Sequence, residues 1–198
     1  MSADDTIGCG STPVDRFRHV AAAITALVEN ASPDGLLGDS PCAGWTGRDV
    51  LNHMVGSADL FAAPARGEEV PAPNWSAMPD WLGGDPAGSY RAAADRFIEA
   101  YAAPGVLDGT ITLPWVQLPA AFAVTLLTAD HVTHAWDLEQ ATGIAMTIDE
   151  AVIEDALAVL TASVTPDLRA AGFYAAECAA PPGASAAQRL AAFTGRRV

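Results

Sequence analysis

Apolar residues recur at helical spacing along most of this chain, and each such run stops at a proline or a glycine. Phe17, Val20, Ala21, Ile24 and Val28 share one face of a helix over 13–30, with Asp15, Arg16 and Glu29 elsewhere on its surface. Ser32-Pro33-Asp34-Gly35 then breaks the pattern. After the loop Pro41-Cys42-Ala43-Gly44-Trp45, Thr46 and Asp49 resemble a capping box with Asp in place of Glu. The helix they start carries Val50, His53, Met54, Ser57 and Leu60, and runs to about Ala63. Segment 64–86 is rich in Pro, Gly and Trp without a clean period, and reads as a long ordered loop. A third helix over 87–102 carries Tyr90, Ala94, Phe97 and Tyr101 as its stripe and ends at Pro104-Gly105. Thr110-Ile111-Thr112-Leu113 is brief and β-like, and Pro114-Trp115 turns the chain. The fourth and longest helix spans 119–141 and is closed by Gly143. A fifth covers 149–164. Beyond Pro166 the chain reads as irregular, with a last short helix over 186–193. The expected class is all-α: a helix bundle with short loops, one long Pro/Trp-rich loop and an additional helix.

Composition sets the bounds around that pattern. The 198 residues fit one domain over 1–198, with 1–12 expected to be flexible. At 51% hydrophobic and 17% charged, the chain can bury a sizeable core. Its formal net charge is -14, and all ten basic residues are arginine. Nucleic-acid binding draws its affinity from neutralised phosphates, so an acidic surface argues against nucleic acid and anionic membranes as partners. It does not forbid a helix-paired homodimer. The longest apolar run, 119–129, falls short of the roughly 20 residues that cross a bilayer. Residues 1–11 have neither the basic start nor the apolar core of a signal peptide. Cys9, Cys42 and Cys178 are dispersed, odd in number and without a C-x-x-C pair. A disulfide framework is not expected, and a reducing, cytoplasmic setting is the simpler reading.

Half of the chain's four histidines fall in Asp130-His131-Val132-Thr133-His134-Ala135-Trp136-Asp137-Leu138, on the long helix. At about 100° per residue, Leu126, Leu127, Asp130, His134, Asp137, Leu138 and Ala141 share one broad stripe. A bundle helix turns such a stripe inward, where a carboxylate is costly unless it is paired or bound to a cation. Asp130 and His134 are i and i+4, a common half of a metal site; the competing reading is a salt bridge or solvated pair. A third ligand must come from another helix. His53 is the candidate there, and His19, in more solvated surroundings beside Arg16 and Arg18, is the other. His131, at the edge of the stripe, is an alternative ligand. An N/O donor set suits zinc or another divalent ion. Asp137 either accepts from the far nitrogen of a ligand histidine or makes a packing hydrogen bond, and packing is the preferred role. Trp136 faces away from the stripe and should pack, whereas Trp45 is a candidate to line a pocket. Cys42 lies beside a helix start, where a thiolate is favoured, yet no histidine is placed as its base. It reads as a small buried hydrophobe.

These residues also carry a family resemblance. Pro41-Cys42-Ala43-Gly44-Trp45-Thr46-x-Arg48-Asp49-Val50-Leu51-x-His53 resembles the P-C-x-G-W-T-x-R-D-L-x-x-H signature of the mycothiol-dependent maleylpyruvate isomerase N-terminal family, in the DinB-like superfamily. Leu113-Pro114-Trp115 resembles its turn before the long helix. His134-Ala135-Trp136-Asp137-Leu138-x-x-Ala141-Thr142-Gly143 resembles its H-x-W-D-L-x-x-A-x-G signature, and 187–195 its usual carboxy-terminal end. The resemblance implies a DinB-like four-helix bundle holding a divalent metal, typically zinc, with His53, Asp130 and His134 as ligands. Asp130 stands where relatives usually carry Glu or His. The isomerase that names the family has a further carboxy-terminal domain that this chain is too short to contain, so the namesake activity is not expected to carry over. The expected function is a metal-dependent, thiol-using transferase or isomerase acting with mycothiol on a small electrophile. The alternatives are a non-catalytic small-molecule-binding or regulatory bundle, with 64–86 as a recognition loop, and a metal enzyme of secondary metabolism that does not use mycothiol.

Overall fold

The computed structural model describes residues 11–198; Cys9 and the greater part of the stretch expected to be flexible lie outside them. Local capping sets where the helices start. Thr12 and Asp15 form a reciprocal capping box at the head of α1 (Pro13–Asn30). The break after α1 is itself one helical turn, α2 (Pro33–Leu36). Ser32 Oγ accepts from the Gly35 amide at 3.0 Å, and Pro33 is preset for a first helical position. The box read from Thr46 and Asp49 caps α3 (Gly47–Ala65), which continues through Pro64 before it stops. Segment 66–85 contains turns but no helix, and leads into α4 (Pro86–Ala102). A single 3-10 turn follows, then a hairpin of β1 (Thr110–Leu113) and β2 (Val116–Pro119), paired antiparallel with Thr110 opposite Pro119. The expectation that Pro119 belongs to the long helix is corrected here, since it ends β2. That strand escaped notice because it is four residues long and ends at Pro119, which reads equally well as a helix start.

The long helix, α5 (Ala120–Thr142), closes on Gly143 at φ 72°, a left-handed conformation that favours glycine. Then come α6 (Glu150–Ser163), the short α7 (Pro166–Ala170) in the tail read as irregular, and α8 (Ala186–Phe193). α1, α3, α4 and α5 form the four-helix bundle, with α3 and α1 each packed on both α4 and α5. α6 packs on the outside of α5, and α8 packs on both. This covering layer changes α5 from what its sequence suggests. Every residue from His131 to Leu138 is buried, so the helix has no single inward stripe there. Trp136 packs, as expected, at 8% exposure. One continuous core runs from Val14 in α1 to Leu190 in α8. Among the described residues, no helix is long and apolar enough to cross a membrane.

The long loop is fastened to α3. Asn52 Nδ2 donates to the Pro79 carbonyl at 2.7 Å, and its Oδ1 accepts from the Trp81 amide at 2.8 Å. Trp81 lies against Gly56 so closely that a Cβ there would sit 2.4 Å from the ring. This clasp leaves Trp75 against the exposed end of His53.

Candidate metal centre

The packing of α3 on α5 brings His53, Asp130 and His134 together, with one donor atom from each within 4.8 Å of the others. His53 Nε2 lies 3.5 Å from Asp130 Oδ2, and His134 Nε2 lies 3.6 Å from Asp130 Oδ1. Neither contact has the length of a normal N–H···O bond. Asp130 Oδ2 and His53 Nδ1 are buried without any hydrogen-bond partner. A carboxylate left short of donors between two imidazole nitrogens suits a cation among the three groups.

Protonation favours the same reading. Burial pushes the Asp130 carboxyl up, but His134 and His53 beside it outweigh that and hold it well below the usual carboxylate range. Burial lowers the His53 pKa against the pull of Asp130, which leaves a neutral imidazole at pH 7. A neutral imidazole and an ionised carboxylate are the forms that bind divalent metals.

The orientation of His134 is fixed from behind. Its Nδ1 is 2.8 Å from Asp137 Oδ2. Burial raises the Asp137 carboxyl, yet its bonds to His134 and Arg196 bring it below its ordinary value. An ionised carboxylate only accepts, so Nδ1 carries a hydrogen, and Nε2 is the nitrogen turned toward Asp130 and His53. Arg196 clamps the same carboxylate, donating through Nε at 3.1 Å and Nη2 at 2.7 Å. Asp137 therefore does more than pack: it holds the tautomer of His134. The sequence reading missed Arg196. It sits one residue beyond the Thr194-Gly195 pair that marks the chain's end, and buried Thr194 accepts from its Nη1 through the backbone carbonyl.

The other sequence candidates separate clearly. His131 is not part of the cluster. It is fully buried between Tyr90, whose hydroxyl is 3.0 Å from Nδ1, and Ser57, whose Oγ is 3.4 Å from Nε2. Burial takes its pKa down to about 3, despite nearby Asp130. His19 lies apart, 3.8 Å from Asp149. Trp45 does reach the centre: its ring stacks on His134 at 6.2 Å and tilts over His53 at 5.2 Å. Cys42 lines the same cavity as a neutral thiol, since burial pushes it up to about 11. The three donors open into this cavity of about 660 Å³, bounded by the loop before α3, Trp75 and the Arg196 end of the chain.

The fold and this geometry define a helical-bundle protein with a partly buried His–Asp–His cluster at the floor of a cavity. Residues 17–139 match the mycothiol maleylpyruvate isomerase N-terminal domain, and the chain belongs to that family. Two relatives, the uncharacterized proteins Rv0738 and MT0763 from two strains of Mycobacterium tuberculosis, are each 35% identical over 187 residues, spanning 94% of this chain and 98% of the relative. The crystal structure of the mycothiol-dependent maleylpyruvate isomerase is similar in fold, with a TM-score of 0.59 at 17% identity over 83% of this chain and 72% of that one. A histidine-to-alanine mutant of that isomerase matches with a TM-score of 0.58 at 16% identity, over the same shares.

Proposed function

We infer that the chain is a metal-dependent enzyme, with zinc the favoured ion, that acts with a small thiol on a small electrophile, as a transferase or an isomerase. The observation that carries this reading is the convergence of His53 Nε2, His134 Nε2 and the Asp130 carboxylate at the floor of an open cavity. Three side-chain ligands leave a coordination position for chemistry. Zinc held there would lower the pKa of a bound thiol, so that thiolate would be present near neutral pH.

The chain's own groups do the rest. Asp137, neutralised by Arg196, keeps the His134 lone pair directed at the site. Trp45 and Trp75 cover the two histidine rings and keep water from their flanks. Cys42 stays protonated, so the reacting sulfur belongs to a thiol brought in from outside. Family membership favours mycothiol as that thiol. A reducing cytoplasm would keep it in its active form. In the reaction, sulfur bonds to one carbon of an activated double bond, and the π pair moves onto the conjugated carbonyl. Protonation at the neighbouring carbon completes a transfer. Rotation followed by loss of sulfur completes an isomerisation and returns the thiol.

Metal content of protein purified without a His tag, measured by mass spectrometry, tests the proposal. The expected result is near-stoichiometric zinc or another divalent ion, lost in His53→Ala and in His134→Ala. Wild type without metal after reconstitution, with both variants folded and unchanged, would overturn it. Consumption of mycothiol during turnover then separates transfer from isomerisation.

A further inference from the structure

Two cavities share His53, Trp75, Asp130, Phe173 and Tyr174, and beyond these their walls differ in chemistry. The first, described above, has the Cys42 loop and Arg196 in its wall. The second, of about 400 Å³, lies between β2, α3 and the first half of α5. Leu60, Phe61, Leu118, Phe122, Leu126 and Leu127 supply much of its surface. None of the described residues lining it is an arginine, and its one acid is Asp130, at the inner end. Trp115, Phe122 and Phe173 stand about it at 42%, 36% and 47% exposure, with the Trp115 and Phe173 rings 5.9 Å apart. Large aromatic rings left in water around an apolar hollow mark a place where a ligand covers them.

We propose that this second cavity takes the carbon body of the substrate, and that the substrate is an uncharged electrophile bearing an alkyl or aryl group. The proposal rests on the thiol-and-metal reading of the shared centre. The thiol enters by the first cavity and the electrophile by the second. An aryl enone seated with its ring among Leu118, Phe122 and Leu126 leaves its polar end toward Asp130 and His53. There the sulfur–carbon bond forms and the π pair passes to the carbonyl oxygen. A proton from solvent replaces the one the thiol gave up, and nothing is oxidised or reduced. A dicarboxylate such as maleylpyruvate does not suit this cavity. Even with one carboxylate at the shared centre, the other would lie among Leu118, Phe122 and Leu126, where no arginine or lysine lines the wall to pair with it.

Titration of untagged protein with N-phenyl-1-naphthylamine, an uncharged dye that fluoresces in apolar sites, tests the inference independently of catalysis. The expected result is saturable binding of one dye per chain. It should weaken about tenfold or more in Phe122→Glu and in Leu126→Glu, because each puts a charge into the apolar wall. Circular dichroism checks that both variants fold, and half-exposed Phe122 gives the safer of the two. Zinc content should not change in either. 4-Phenylbut-3-en-2-one should displace the dye and maleate should not. Equal dye binding by wild type and both variants, or displacement by maleate alone, overturns the proposal. Stoichiometric zinc without dye binding overturns it while the metal reading stands. Dye binding without zinc overturns the metal reading while the apolar ligand site stands.

Discussion

α3 and α5 together build two polar clusters one helical turn apart, and the clusters differ in what they leave unsatisfied. Ser57 and His131 form one with Tyr90 of α4; His53, Asp130 and His134 form the other. In the first, Ser57 Oγ donates to the Met54 carbonyl at 3.1 Å, so it accepts from His131 Nε2. Nδ1 of His131 is then free to accept from Tyr90. Both ring nitrogens are used, no charge is needed, and the ring is fully buried. In the second, the nitrogens of two histidines face a carboxylate with an unpartnered oxygen, beside two cavities. Histidines three residues apart on one helix thus sit in opposite settings. What separates them is whether hydrogen bonding is complete, and not depth alone: His134 is only 6% exposed.

The comparison breaks first on metal. Alanine at His134 should lower zinc affinity by more than 100-fold, beyond the roughly 10–100-fold typical of losing an outer hydrogen-bond partner. Alanine at His131 should leave zinc stoichiometry intact. Metal lost from both variants equally, with both folded, would erase the distinction. Stability should show the reverse order. His131→Ala opens a hole and strands the Tyr90 hydroxyl in the core, at a cost of about 3 kcal/mol. In metal-free protein, His53→Ala, which removes a ring whose Nδ1 bonds nothing, should cost less than half of that in urea melts.

The sequence exposed the two clusters unequally. His53, Asp130 and His134 were readable because i,i+4 spacing on one helix, with a lone histidine on another, already suggests convergence. The capping box at α3 was readable for a similar reason, since both partners lie within one turn; the boxes at α1 and α8 have the same local form but were not read. His131 was misplaced at the edge of a stripe because it turns into the bundle toward Phe17 of α1, Ser57 of α3 and Tyr90 of α4, packing that no periodicity in α5 itself reports. Its partners lie 41 and 74 residues away in sequence. Arg196 was missed on the same ground, since 59 residues separate it from Asp137. Local order is written in neighbouring residues; the completion of hydrogen bonds across the bundle is not.

Asp137 sharpens the comparison because it lends the open cluster part of the closure that His131 enjoys. Asp137→Asn keeps the shape but removes the charge that fixes the His134 hydrogen. Zinc affinity should fall about 10–100-fold, measured by competition with a chromophoric chelator. The variant also leaves Arg196 buried without its counter-ion, a cost of about 3 kcal/mol or more. Asp137→Asn combined with Arg196→Met should recover much of the stability and none of the affinity. Recovery of both would reduce the pair to packing.

Cys42 marks how far the open cluster extends. It faces the same cavity as the metal ligands, yet its thiol behaves like a sealed group, raised to about 11 by burial. An unfolded chain releases that proton near pH 8.5. The folded pKa is therefore the higher one. The thiol's contribution is complete below about 8.5, and is lost as pH rises toward about 11. At pH 9.5 the metal-free protein should be about 1 kcal/mol less stable than at pH 7.5 through this group alone. Cys42→Ala should remove that part of the decline, read as the difference between two series of urea melts. Identical slopes for the two proteins would mean that the thiol already ionises freely in the folded state. Cys42 would then belong with the reactive groups of the open cluster, as a second sulfur beside His53 and His134.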